Sequence, residues 1–251
     1  MSFENQTVVI SGASSGIGAE IAKRFAKEGY SLLLLGRDET RLKKTQSECK
    51  NNKTEILAFD LSDLNQQSDS IKNTLNELPS PTILINNAGL FHQGFLEETT
   101  DDIWTTQFQI NLLSAVKLTK TLWPLFKKNQ KGSIVNISST LGLKPTANTG
   151  AYSAIKAAMI NWTLSLAQEG GPLNIRANCI CPGIVDTPIH SFHYLAPDKK
   201  KELLQQVAKN QLLNEIGKPH EIAESTYFLA SDHSKFTTGA ILNVDGGIHL
   251  K

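Results

Sequence analysis

Short unbroken apolar runs punctuate this chain, and between them apolar residues recur at roughly helical spacing. The runs are Thr7–Ser11, Ser31–Leu35, Thr54–Phe59, Thr82–Ile85, Ser133–Ile137, Leu173–Ile180 and Ala240–Val244. Runs without polar alternation predict strands buried on both faces. The sixth is the least regular, broken by Asn174, Arg176 and Asn178. The intervening patterns predict helices from the residues after Gly18 to Glu28, then Glu39–Lys50, Thr100–Lys128, Ala151–Gln168, Pro197–Lys209 and Pro219–Ser231. Gly29 stops the first of these, and Pro124 marks a kink or a turn boundary in the long one. Strands alternating with helices predict βαβ units: an α/β protein with a doubly wound, seven-stranded parallel sheet and helices on both faces. No repeat, low-complexity tract or linker divides residues 1–251, which predicts a single domain. The mixed segment 189–216 is the candidate for a mobile lid over a substrate.

Composition narrows the class without naming a chemistry. The chain has 251 residues, 40% of them hydrophobic, and a formal net charge of +1. That is enough chain for a large core, and it offers no basic excess for nucleic acid. Lys199–Lys201 reads as a solvated helix face. No apolar run is long enough to span a membrane, and residues 1–6 carry no leader pattern. Cys49, Cys179 and Cys181 are an odd, sparse set, and Cys179-x-Cys181 reads as two buried thiols. The six histidines are scattered without metal-ligand spacing, so no metal is expected. A reducing, cytoplasmic setting is the expectation.

Three stretches carry candidate chemistry. The first strand runs into Gly12-Ala13-Ser14-Ser15-Gly16-Ile17-Gly18 and then a helix. Glycines allow a tight turn close to a ligand, and a helix start offers free N–H groups to a phosphate. The alternative is a turn with no ligand. The second strand ends at Gly36-Arg37-Asp38, where a dinucleotide fold meets the adenosine ribose. Arg37 would accept the 2′-phosphate of NADP, whereas a shifted register would present Asp38 to the 2′-hydroxyl of NAD. Finally, Tyr152 and Lys156 sit four apart on one helix face, and Ser139 leaves the preceding strand. An ammonium beside a phenol lowers its pKa and suits it to proton transfer. On local sequence Asn111 reads as a structural polar group in an apolar helix.

These motifs, in this order, resemble the short-chain dehydrogenase/reductase family across nearly the whole chain. The match comprises the Gly12/Gly16/Gly18 turn, Asp60, Asn86-Asn87-Ala88-Gly89, Asn111, Ser139, Tyr152-x-x-x-Lys156, Pro182-Gly183 with Thr187, and Asn243-Val244-Asp245-Gly246-Gly247. The resemblance implies a Rossmann-type fold and hydride transfer between a nicotinamide and a carbonyl or secondary alcohol. It implies that Gly12, Ser14, Ser15, Gly16, Ile17 and Gly18 hold the pyrophosphate end, and that Asp60 and Leu61 meet the adenine. It implies that Asn87, Ala88 and Gly89 line the cleft and that Pro182, Gly183, Ile184 and Thr187 hold the carboxamide end. Lys156 would hold the nicotinamide ribose and lower the pKa of Tyr152, the general acid/base. Ser139 would orient the reacting oxygen, and Asn111 would support a water relaying protons to Lys156. Arg37 agrees with NADP (as NADPH) over NAD. The family also implies a homotetramer or homodimer pairing the helices Thr100–Lys128 and Ala151–Gln168.

The carboxyl-terminal half resembles 3-oxoacyl-[acyl-carrier-protein] reductases, but Asn214-Glu215 and the turn Glu169–Leu173 depart from their pattern. A small ketone, sugar or other carbonyl compound is as compatible. Two other classes remain to be weighed. Gly12-Ala13-Ser14-Ser15-Gly16 formally matches a hydrolase nucleophile elbow, though no strand precedes it to build the hydrolase sheet. A non-catalytic NADP-binding sensor or scaffold would use the same fold, but has no need of Ser139, Tyr152 and Lys156 together.

Overall fold

The structure is a computed structural model that describes residues 6–50, 53–190, 192 and 195–251. The leader reading of residues 1–6 therefore falls, but for Gln6, outside the described residues. All seven predicted strands form: β1 (Thr7–Ser11), β2 (Ser31–Gly36), β3 (Thr54–Ala58), β4 (Pro81–Asn86), β5 (Gly132–Ile137), β6 (Ile175–Pro182) and β7 (Ile241–Val244). They make one sheet in the order β3-β2-β1-β4-β5-β6-β7, and every pair is parallel.

The unbroken apolar runs follow from burial on both faces. Val8 and Ile10 point to one side with Leu32 and Leu34, and join Ile21, Phe25, Leu42, Ile222 and Tyr227. That side is covered by the helices α1 (Gly16–Lys27), α2 (Glu39–Glu48) and α8 (Pro219–Ala230). Val9, Leu33 and Leu35 point to the other, against Ile71, Leu118, Leu122, Phe126 and Leu166. There lie α3 (Leu64–Asn76), α5 (Ser114–Asn129) and α6 (Gly150–Gly170). A period of two splits each strand between two cores.

Three element predictions need correction. The sequence pattern predicts no helix between the third and fourth strands, yet α3 forms there. Its sequence LNQQSDSIKNTLN is too polar for a clear stripe, and Ile71 and Leu75 anchor it. The predicted single helix Thr100–Lys128 is instead α4 (Asp101–Phe108), a π-helical turn Gln109–Leu113, and α5. Pro124 ends nothing: it lies on the exposed side within α5, so the helix runs on to Asn129. The sixth strand begins at Ile175, because Asn174 takes a left-handed φ of 57° and turns the chain into it.

Strand order reverses between β1 and β4, the neighbours at the centre of the sheet. Crossovers leave in opposite directions there and open a crevice at the carboxyl ends of the strands. The loops after β1, β4, β5 and β6 all reach that crevice, which is why sites far apart in sequence meet.

Candidate active site

The turn after β1 is built by side-chain anchoring. Gly12 has φ +67°, a left-handed conformation that favours glycine. Asn87 Nδ2 donates to the Ser11 and Gly12 carbonyls, both at 3.1 Å. Ser11 Oγ accepts from the Asn87 and Ala88 N–H groups at 3.0 and 3.1 Å. Ser15 holds the N-cap position of α1 but makes no capping hydrogen bond. The first N–H groups of α1 therefore stay open towards the crevice, as an anionic phosphate requires.

At the other end, Ser139 begins the loop after β5 and Tyr152 stands in the first turn of α6. Ser139 Oγ accepts from Leu141 N–H at 3.1 Å and is near enough to the Tyr152 phenol to draw its pKa down. The ring is buried, and Phe91 packs its edge against it at 4.7 Å and 71°. Lys156 Nζ donates to the Ile137 carbonyl at 2.9 Å, and Ser138 Oγ donates to the Lys156 carbonyl at 2.8 Å. These bonds lock α6 onto the end of β5.

The electrostatics correct one expectation. Burial pushes the Tyr152 phenol up to about 12, and Ser139 opposes that rise. Lys156 does not offset it here, since its ammonium is directed at Ile137 and lies 5.6 Å from the ring centroid. Burial lowers the Lys156 ammonium itself to about 8. The phenol is accordingly a protonated donor near neutral pH.

A cavity of about 1000 Å³ brings most of the predicted residues together. Gly12, Ser15, Gly16, Ile17, Asn87, Ala88, Gly89, Ser139, Tyr152, Lys156, Pro182, Gly183, Ile184 and Thr187 all line it. Ser14, Gly18, Arg37, Asp60, Leu61 and Asn111 do not. Gly18 packs beneath the turn, where an added Cβ would lie 2.2 Å from the Gly12 carbonyl oxygen. Leu61 is buried in the same core as Leu35. Arg37 is largely exposed, with a guanidinium nitrogen 3.8 Å from the Asp60 carboxylate. Ser14 sits by Gly36, its Oγ 3.5 Å from where a Cβ there would lie. That position, outside the cavity, removes the hydrolase-elbow reading.

Asp38 is engaged at the start of α2. Its side chain caps α2, accepting from Arg41 N–H at 2.9 Å, and pairs with the Arg41 guanidinium at 3.2 Å. Asn111 is fully buried in the π-helical turn. Its Oδ1 accepts from Leu90 N–H at 2.7 Å and its Nδ2 donates to the Leu90 carbonyl at 3.0 Å. Both polar ends of the side chain are thus engaged by the loop after β4.

Sequence reasoning missed Ser11, Phe91 and Gln211. Gln211 is buried, accepts from Ile184 N–H at 3.2 Å, and donates to the Glu215 carbonyl. It ties the end of the 189–216 segment to the loop after β6. Ile189, His190, Phe192, Leu203, Val207 and Asn210 from that segment line the cavity, with α7 (Pro197–Ala208) at its centre. Residues 191, 193 and 194 of the segment lie outside the described residues.

An open turn at a helix start, an exposed guanidinium at the end of β2 and a cavity lined by both that turn and Tyr152 fit a dinucleotide. Among the described residues no cluster could hold a metal ion, and no helix is long and apolar enough to cross a membrane. Comparison with known proteins agrees with this geometry. The family profile described as enoyl-(acyl carrier protein) reductase matches residues 12–249. A 3-oxoacyl-[acyl-carrier-protein] reductase of Chlamydia trachomatis is 34% identical over 247 residues, covering 97% of each chain. L-sorbose reductase from Gluconobacter frateurii, solved with NADPH and L-sorbose, is 28% identical with a TM-score of 0.93, covering 100% of this chain and 99% of its own. Actinorhodin polyketide ketoreductase, solved with NADPH, is 26% identical with a TM-score of 0.92, covering 100% of both chains. The chain belongs to the short-chain dehydrogenase/reductase family, and is an NAD(P)-dependent oxidoreductase that acts on carbonyl or CH–OH groups.

Proposed function

We propose that this enzyme uses NADPH to reduce a small carbonyl compound, with Tyr152 as the proton donor. The observation that carries the reading is that Ser139, Tyr152 and Lys156 line the same cavity as Gly12, Ser15, Gly16 and Ile17 of the turn after β1. When bound, the cofactor supplies the hydride. Ser139 and Tyr152 hold the substrate oxygen, and the phenol donates its proton there as the carbonyl carbon is reduced. Lys156 holds the nicotinamide ribose. Asn111 fixes the Leu90 backbone beside Gly89 and Lys156, and keeps open a water path for reprotonation. Ile184 and Thr187 hold the carboxamide, and Asp60 with Leu61 the adenine. An NADPH-oxidation screen over simple ketones, sugars and a β-ketoacyl thioester tests this, and absence of turnover on every class would sink it.

The preference for NADP rests on Arg37. Its guanidinium is exposed, Ser14 lies beside the preceding Gly36, and Asp38 is already committed to α2. Arg37→Ala is expected to weaken NADPH binding about tenfold, the worth of one partly exposed charge-assisted contact, and NADH less than about twofold. Titration of both cofactors into the variant checks this; equal losses would move the ribose contact elsewhere.

Substrate closure is assigned to segment 189–216, whose residues line the cavity through Phe192, Leu203 and Val207. Amide exchange in α7 is expected to slow when NADPH and a slow substrate are both added. Unchanged exchange would leave the segment a fixed wall. Trp104 and Phe108 are large apolar residues left exposed on α4, in support of pairing through α4–α5 and α6 into a homodimer or homotetramer. Three free, buried cysteines support a cytoplasmic setting.

A further inference from the structure

Six basic side chains line the cavity that holds Tyr152 and, among the described residues, no Asp or Glu side chain does. Besides Lys156 and Lys251, the basic ones are His92, Lys144, His190 and His249, from the loops after β4, β5, β6 and β7. Four separate loops contributing one kind of group is not explained by the dinucleotide. Its phosphates belong at the Gly12–Gly18 turn. Phe91, Leu141, Ile189 and Phe192 add apolar surface to the cavity, and Gln93, Thr146 and Thr149 add uncharged polar groups.

His249 is oriented from behind. Its Nδ1 lies 2.6 Å from Asp245 Oδ2, which also accepts from His249 N–H at 3.2 Å. Asp245 Oδ1 accepts from Gly247 N–H at 2.9 Å, and the carboxylate is buried. The ring is thereby fixed in place. Its Nε2 makes no hydrogen bond among the described residues, though the ring borders the cavity. Lys144 is exposed on the rim and has no ion-pair partner among the described residues. With Nδ1–H donating to the Asp245 carboxylate, the imidazolium form of His249 is the one that also offers an Nε2–H donor to the cavity, and that donor and the Lys144 ammonium suit a ligand with an anionic end.

We propose that the substrate is an oxo acid, a ketone carrying a free carboxylate, and that Lys144 and His249 receive the carboxylate. This rests on the reductase reading above and narrows its substrate. The reaction balances as hydride from NADPH to the carbonyl carbon and a proton from Tyr152 to its oxygen; the carboxylate takes no part in the bond changes.

The test compares 3-oxohexanoate and 4-oxopentanoate with their methyl esters, which differ only in the charge. NADPH oxidation is followed in the unaltered enzyme, in Lys144→Gln and in His249→Gln. The acids are expected to exceed their esters at least tenfold in kcat/KM, chiefly through KM. That ratio is expected to fall at least fivefold in one or both variants. In parallel, the His249 ring C2–H resonance, assigned by its loss in His249→Gln, is expected to shift with pentanoate and not with methyl pentanoate. Acids and esters turned over equally, or a ratio untouched by both variants, would overturn the anion site and leave the reductase standing. A shift with pentanoate but no turnover of any ketone would sink the reductase and leave the anion site. Neither shift nor turnover would overturn both.

Discussion

Tyr152→Phe is expected to lower kcat/KM for carbonyl reduction at least about a thousandfold, within the range general acids contribute. NADPH affinity should stay within about threefold. The substitution removes one oxygen and keeps the ring that Phe91 packs against, so the pocket wall survives. What disappears is the phenolic proton beside Ser139 in the cavity. Steady-state kinetics and cofactor titration on the same preparation separate the two effects. Retained turnover would remove Tyr152 from the chemistry. Lost cofactor binding would make it structural.

The same phenol sets a pH dependence. Burial holds it up at about 12, so through the neutral range it is protonated and ready to donate. Reduction therefore needs no change of its state. Alcohol oxidation needs the phenolate, whose fraction grows about tenfold per pH unit below that pKa. Oxidation should accordingly rise between about pH 7 and 10, while reduction stays level over the lower part of that range. A flat oxidation profile would show that another group takes the proton.

What the sequence disclosed depended on whether the physics was local. Buried parallel strands read as unbroken apolar runs, so β1, β2, β4 and β5 were legible within a residue or two. The spacing of Tyr152 and Lys156 was legible because a helix puts positions four apart on one face. The direction in which Lys156 points was not. It is set by the Ile137 carbonyl, nineteen residues away in sequence, and that choice cancels the expected effect on the phenol. The π-helical turn was hidden for a related reason: nothing in Gln109–Leu113 forbids an ordinary helix, and the Leu90 backbone that engages Asn111 lies across a loop. Ser11 and Gln211 looked like ordinary strand and loop residues, because their partners arrive only through the fold.

Gly18→Ala is expected to destabilise the protein and to weaken NADPH at least about thirtyfold. In an ordinary helix the exchange would stabilise, by up to about 1 kcal/mol. Here the new Cβ would lie 2.2 Å from the Gly12 carbonyl oxygen and 2.5 Å from Asn87 Nδ2. Neither atom can retreat cheaply. Gly12 is held in its left-handed turn, and Asn87 Nδ2 already bonds both carbonyls of that turn. Helix α1 must move instead, at a cost of about 1–3 kcal/mol, typical of overpacking. For a chain of this size that is roughly 2–12 °C in Tm. Gly150→Ala is the control: it also sits at a helix start, has no atom within 4 Å of the added Cβ, and should leave Tm unchanged or raised. The two readouts then divide the roles of the turn. Since the open N–H groups of α1 meet the phosphate only if α1 keeps its place, losses in Tm and in NADPH affinity should appear together. A fall in Tm with undiminished affinity would mean that Gly18 serves packing alone, and that the diphosphate is held by the loops after β4 and β6.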